Sequence, residues 1–354
     1  MSVPITRVTG AIAIGVAIAE GCMREGVPLR DNGGCLGMDS RMIDLQPLRQ
    51  LTFSVSDSDV REHLSAASGI VVAGEFLYVV ADDEHYLGVF DLTGQHDGIT
   101  VRLFPGELPD DAHARKARKP DLEALLRLPS FPGYPNGALL AFASGSKPNR
   151  QTGVLLGLDH TGALSDSPRP VDLSALYAPL QRRFPGLNIE GAAVCDRQIV
   201  LLQRASGKHP ENALIRISLT AVLHALGSTG ALQLPELPVE IRTIDLGCVE
   251  HVPLGFTDAA ALPDGRLVFS AVAESVDDTY HDGPCVAAAI GILGADGHVQ
   301  TLEFVRPVRK IEGIDARPDG AVIRLLLVSD GDDRRRPAGV FSATLALTVP
   351  APER

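Results

Sequence analysis

The stretch Lys310-Ile311-Glu312-Gly313-Ile314-Asp315-Ala316 constrains this chain most, because four other stretches repeat its frame. Asn188-Ile189-Glu190-Gly191-Ala192-Ala193-Val194 is nearly identical. Asp121-Leu122-Glu123-Ala124-Leu125-Leu126 and Phe256-Thr257-Asp258-Ala259-Ala260-Ala261 keep an acid, a small residue and then apolar ones. Ala66-Ala67-Ser68-Gly69-Ile70-Val71 keeps the frame with a serine in the acid's place. Counted on that central position, the steps from 68 to 123, 190, 258 and 312 are 55, 67, 68 and 54 residues. Units of this length, each holding several short apolar runs, indicate a β-propeller or a related stacked array.

Three strand-like runs follow each of the first four motifs, giving the four strands of a propeller blade. They are Glu75–Asp82, Tyr86–Asp91 and Ile99–Phe104 in the first unit, then Ala138–Ala143, Gly153–Leu158 and Arg169–Leu173 in the second. Ile199–Gln203, Ala213–Ser218 and Val239–Leu246 follow in the third, and Leu267–Ala273, Ala287–Leu293 and Val299–Val305 in the fourth. Each run is rich in β-branched and aliphatic residues and bounded by Gly, Pro or Asp. The fifth unit has only Val322–Val328 and Gly339–Leu347, while a spare strand, Leu51–Ser56, precedes the first motif. An N-terminal strand that completes the last blade closes the ring and removes its exposed edges. The expectation is an all-β, five-bladed propeller over residues 50–348, with an N-terminal extension (1–49) and a short tail (349–354).

The 35 glycines and 25 prolines suit an architecture of many tight turns. No Trp is present, so no tryptophan signature holds the blades together. A net charge of −12 argues against nucleic acid as a partner, since phosphate attraction needs a basic surface. No run reaches the ~18 apolar residues of a membrane span, and a monomer is expected. The five cysteines are an odd number without metal-ligand spacing, which indicates neither a disulfide framework nor a zinc site. A reducing, cytoplasmic setting follows, with export the alternative if the apolar run Gly10–Ala19 and Cys22 belong to a leader. A loose extension, or a start at Met38 or Met42, accounts for the same residues.

Two segments interrupt the strands. Ser218–Leu226 has apolar residues at helical spacing. Leu173–Phe184 begins like a capped helix that Pro179 should break or kink. Asp110–Lys119, ahead of the second motif, is polar and basic.

Strand alternation places the head of each first strand on one face with the loops between second and third strands. Those loops are rich in charge, whereas the opposite turns, such as Pro263-Asp264-Gly265 and Pro318-Asp319-Gly320, are bland. Glu123, Glu190, Asp258 and Glu312 should thus ring the channel mouth, with Ser68 in the fifth place. Converging carboxylates repel unless they are protonated or share a cation, and Ca²⁺, with six to eight oxygen ligands, suits such a ring. The alternative is that each acid bonds to strand N–H groups or pairs with a base such as Lys119 or Lys310. Lys147, Arg150, Arg204, Lys208 and Arg334 are candidates to grip a small anionic ligand, and His85, His209 and His281 are candidate general bases. Nucleophile-elbow, Walker, zincin and dinucleotide motifs are absent.

The Ile189-Glu190-Gly191 and Ile311-Glu312-Gly313 copies, Asp121-Leu122-Glu123 and the loop Ser144-Gly145-Ser146-Lys147-Pro148-Asn149-Arg150 resemble bacterial phytase-like β-propellers, including proteins with esterase-like activity of phytase. The resemblance covers about residues 50–348. It implies a propeller, a calcium site at the axis and phosphoester hydrolysis on the charged face, although five blades depart from the six of phytases proper. Two functional classes are expected. One is a metal-assisted hydrolase of a small anionic or phosphorylated ester, of which a lactonase-like sugar-ester hydrolase is a variant. The other is a non-catalytic propeller whose charged face binds a ligand or a protein partner.

Overall fold

Short aliphatic runs separated by Gly, Pro and Asp turns leave little choice but antiparallel strands, and the chain forms them almost throughout. The structure is a computed structural model describing residues 35–36, 41–54, 62–205, 209, 211–228, 232, 240–275, 285–331 and 333–347. Two strands come first, β1 (Met42–Asp44) and β2 (Gln46–Gln50). Blade one holds β3 (Ala67–Ala73), β4 (Phe76–Ala81), β5 (Tyr86–Asp91) and β6 (Ile99–Arg102). Helix α1 (Ala112–Arg118) leads into blade two, with β7 (Leu122–Leu128), β8 (Ala138–Ala143), β9 (Thr152–Gly157) and β10 (Arg169–Asp172). After α2 (Ser174–Arg183), blade three comprises β11 (Ile189–Cys195), β12 (Gln198–Gln203), β13 (Asn212–Ser218), the inserted α3 (Leu219–Ser228) and β14 (Glu240–Ile244). The short β15 (Cys248–Val249) precedes blade four: β16 (Val252–Ala261), β17 (Leu267–Glu274), β18 (Cys285–Leu293) and β19 (Val299–Arg306). Blade five contains β20 (Lys310–Asp319), β21 (Val322–Asp330) and β22 (Gly339–Ala346).

The expected five-bladed ring of four-stranded antiparallel blades is the observed fold. The innermost strands β3, β7, β11, β16 and β20 pack in succession, and β20 returns against β3. The fourth strand of blade five is β2, antiparallel to β22. The closing strand therefore lies just ahead of the expected Leu51–Ser56. Leu51 and Phe53 are buried, and Thr52 and Phe53 make single bridges to His63 and Gly98. Polar Gln46, Arg49 and Gln50 suit an outer edge better, and there Pro47 costs no ladder bond. Residues 55–56 lie outside the described residues, as do the leader-like run and residues 348–354. β1 also pairs in parallel with β19, so one extended stretch straps blade four to blade five.

Apolar clusters fill the five blade junctions, Ile189 with Phe142 between blades two and three, for example, and Ile290 with Leu327 between four and five. Without Trp, buried Tyr78 and phenylalanines supply the large side chains, and Tyr78 donates to Gly162 O at 2.7 Å across a junction. The α3 helix matches its apolar spacing. Helix α2 runs on through Pro179, because burying Leu176, Tyr177 and Leu180 outweighs the one backbone bond proline forgoes. The expectation of no disulfide is corrected: Cys35 is bonded to Cys248, 213 residues away, while Cys195 and Cys285 are free. An odd cysteine count concealed one pair at a separation that carries no local signal.

Candidate functional site: an ion-paired cavity on the propeller axis

Each innermost strand carries a β-bulge at the repeated motif, and in blades one, two, three and five a skipped residue lines a cavity on the axis. The residues left outside the ladder are Glu123, Glu190, Thr257 and Glu312, with Ser68 or Gly69 in blade one. The small residue that follows answers to packing. A Cβ on Gly191 would lie 2.7 Å from Asp258 Cα, and one on Gly313 would lie 2.9 Å from Ser68 O in the next blade.

The blade-four alignment of the sequence motif therefore shifts by one residue. Thr257 holds the place assigned to Asp258, and its buried hydroxyl bonds Ile311 O at 2.7 Å and Ser270 Oγ at 2.8 Å. Asp258 accepts backbone N–H groups from Ile314 (3.0 Å), Ala259 (2.8 Å) and Ala192, stitching three blades together outside the cavity lining. Burial holds its carboxyl well above the usual range despite those bonds.

The heads of the blades enclose a cavity of about 490 Å³ on the axis, on the charge-rich face. Two positions per blade build much of its wall: the residue two ahead of the bulge and its cross-strand partner at the end of the second strand. These pairs are Ala66 with Asp82, Asp121 with Ser144, Asn188 with Arg204, Gly255 with Val272 and Lys310 with Asp330, of which Ala66, Ser144 and Gly255 stand outside the lining. Among the described residues, seven carboxylates, five Lys or Arg side chains and His251 line the space, and no Phe or Tyr does. Glu274, at the end of β17, stands two residues beyond Val272 and reaches over the blade-four gap.

Ion pairs organise this wall into two groups. Arg204 is the hub of the first. It bonds Glu274, lies 3.2 Å from Glu190 and approaches Glu312 at 3.7 Å. Lys310 sits 3.1 Å from Glu274 and 3.5 Å from both Glu312 and Asp330. Burial raises Glu190, and burial with the neighbouring acids holds Glu312 well above the carboxylate range, against the pull of Lys310 and Arg204. In the second group Lys119 bonds Asp82 and lies 2.7 Å from Asp121, which also takes Arg150 Nη1 at 2.8 Å. Burial would lower the Lys119 ammonium, but Asp82 and Asp121 lift it well above its ordinary value. Asp121 is held low by Lys119 and Arg150 in spite of its burial, and its backbone is left-handed (φ 61°).

Glu123 stands apart. It is 9% exposed, and among the described residues it has no hydrogen-bond or ion-pair partner. Oxygens of Glu123, Asp82 and Asp121 lie within 4.8 Å of one another. Burial first, then Glu190, Asp121 and Asp82, push its carboxyl well above the usual range.

Of the residues expected from sequence, the cavity gathers Ser68, Glu123, Glu190, Glu312, Arg150 and Arg204. Lys147 is exposed and outside the lining. Arg334 is outside it too, 3.5 Å from Asp83 and bonded to Asp110 O at 3.1 Å. Lys208 and His281 lie outside the described residues. His85 faces Gly106 O at 2.9 Å, and His209 is exposed. Asp82, Asp121, Glu274 and Asp330 were missed as site residues, although aligning the ends of the second strands would have found Asp82 and Asp330. His251 was missed without such a signal. It lines the cavity from a left-handed turn (φ 66°), with Cys35 Sγ 3.7 Å from its Nδ1. A second hollow of about 800 Å³ lies along blade five and β1, where Asp319 pairs with Arg324 and Asp315 with Arg317.

Residues 63–345 match the protein family of unknown function DUF6929. No curated protein matches the chain. Among solved structures, a gluconolactonase from Xanthomonas campestris is 11% identical, over 79% of this chain and 72% of that one, at a TM-score of 0.38. The α-L-arabinofuranosidase of Fusarium graminearum, in complex with an iminosugar inhibitor, is 8% identical over 85% and 98%, at 0.39. Hydrazine synthase of Kuenenia stuttgartiensis is 13% identical over 78% of this chain, at 0.35, and this chain spans only 59% of its length.

Proposed function

The chain belongs to the DUF6929 family, which supplies no activity to inherit, and we propose that its axial cavity is a cation-assisted hydrolytic site for a small, non-aromatic ester. Glu123 carries this reading. A carboxyl so nearly buried and without a partner is costly unless it serves a ligand or a reaction.

The four-acid calcium set expected from sequence does not fit, because Asp258 is committed to backbone N–H groups and Glu190 and Glu312 face Arg204 and Lys310. Asp82, Asp121 and Glu123 fit better. They offer all-oxygen donors to a hard cation such as Ca²⁺, and the Lys119 ammonium already stands beside two of them. The chemistry a divalent ion supplies in such a site is polarisation of an ester or phosphoryl oxygen and a lowered pKa for water. Around it the chain's own residues position and exclude. Arg150 and Ser144 hold Asp121 in place, while Arg204 and Asn188 hold Glu190 toward the cavity. The lack of Phe and Tyr in the lining, among the described residues, disfavours flat ring substrates, which stack on such side chains.

Metal analysis of the purified protein, followed by a panel of phosphoesters, carboxylic esters and lactones, tests the proposal. Turnover is expected to need a divalent ion and to fall at least a hundredfold in Glu123→Gln. Ligand binding without turnover of any substrate would leave a non-catalytic propeller instead.

A further inference from the structure

We infer that Lys119 decides which cations enter the axial cavity, acting as a tethered counter-ion that admits doubly charged ions and turns away singly charged ones. The inference rests on the cation reading above and assigns to one residue the selectivity of that site.

Lys119 is held by its backbone rather than by its side chain. It caps the C-terminus of α1, its backbone N–H bonding Arg115 O at 2.7 Å. The backbone around it is pinned. Arg150 Nη2 donates to Lys116 O at 2.7 Å, Asn149 Nδ2 to Ala117 O and Lys119 O at 3.3 Å each, and Arg115 Nη1 to Asp83 O at 3.0 Å. Among the described residues the ammonium itself is fixed only by Asp82 and Asp121, at the end of a flexible four-carbon stem. It can leave those carboxylates without unravelling the helix.

Charge then sets the selectivity. When ionised, Asp82, Asp121 and Glu123 together carry three negative charges, and Lys119 offsets one. An incoming monovalent ion that displaces the ammonium changes nothing in that balance. It must also compete with a group whose tether keeps it at high local concentration. A divalent ion gains a full charge at the same position, and it engages Glu123, which among the described residues makes no hydrogen bond or ion pair with the ammonium.

Titration calorimetry on metal-free protein, with CaCl2 and KCl at constant ionic strength and melting temperature as a second readout, separates the possibilities. The wild-type chain is expected to bind Ca²⁺ and ignore K⁺. Lys119→Met should bind Ca²⁺ about ten- to a hundredfold more tightly, the scale of one charge-assisted contact removed from competition, and should begin to respond to K⁺. Lys119→Arg keeps the charge and should behave as wild type. Equal Ca²⁺ affinity in wild type and Lys119→Met, with K⁺ still ignored, would overturn the role of Lys119 and leave the cation site standing. No Ca²⁺ binding by any of the three proteins would remove the site and the inference together. Should Lys119→Met fail to fold in ion-free buffer, rescue by K⁺ as well as Ca²⁺ supports the inference, and rescue by Ca²⁺ alone or by neither overturns it.

Discussion

At the scale of single residues, the axis of this propeller shows how differently equal carboxylates can be employed. Asp258 is spent on three backbone N–H groups, Glu190 on Arg204 and Asn188, and Glu123 on nothing within the described residues. Asp83, just behind the cavity wall, is a further case. Burial first, then Asp82 and Glu84, push its carboxyl from 3.8 up to about 7, against the pull of Arg115 and Lys119. Arg334 faces it as well, at 3.5 Å. A carboxyl whose folded pKa is raised contributes stability that is full below its unfolded value and lost as pH rises through the folded one. Asp83→Asn cannot ionise, so the wild type should lose stability relative to this variant between about pH 4 and pH 8. Denaturant midpoints of the two proteins at pH 4.5 and 8 measure it. A difference that stays flat, or moves in favour of the wild type as pH rises, contradicts the assignment.

At the scale of the element, the repeated acid-plus-small motif is a bulge and a packing contact in one. The bulge aims a side chain at the axis, and the residue after it lets the next blade approach. Gly191 illustrates the second duty, since a Cβ there would meet the backbone of Asp258 at 2.7 Å. Backbone cannot step aside as a side-chain tip can, so Gly191→Ala should destabilise by about 1–3 kcal/mol. Gly331→Ala, with open space around it, should be neutral or gain a few tenths of a kcal/mol from the stiffer unfolded chain. Thermal unfolding of the two variants tests the contrast, and equal losses would show that the bulge glycine is not a contact residue. The acids of the motif were legible in sequence because they recur, but the blade-four offset between Thr257 and Asp258 was not. It depends on which residue the ladder skips, and sequence spacing alone does not fix a bulge.

At the scale of the whole molecule, closure is the feature on which stability depends. β2 supplies the outer strand of blade five, β1 clasps blade four, and the Cys35–Cys248 bond fastens the segment ahead of them. Removing residues 1–34 should leave a cooperative melt near that of the full chain. Removing residues 1–50 bares the β22 edge and takes away the strap and the disulfide together. It should lower the melting temperature by ten degrees or more, on the order of several kcal/mol, and promote association through the open edge. Calorimetry with sedimentation checks both, and similar melts for the two truncations would refute the closing role. What the sequence determined by itself was periodic: five units, four strands each, an N-terminal strand to finish the ring, and a charged face set by strand alternation. Those follow from local propensity and the two-residue pleat, which repeat wherever the pattern repeats. The tertiary structure decided which charges meet. Lys119 reaches Asp82 and Asp121 from the end of an inserted helix, Arg204 bridges acids from three blades, and Cys35 finds Cys248 across 213 residues. Contacts of that kind are fixed when the ring shuts and brings distant strand heads to a common axis, a condition that no local pattern encodes.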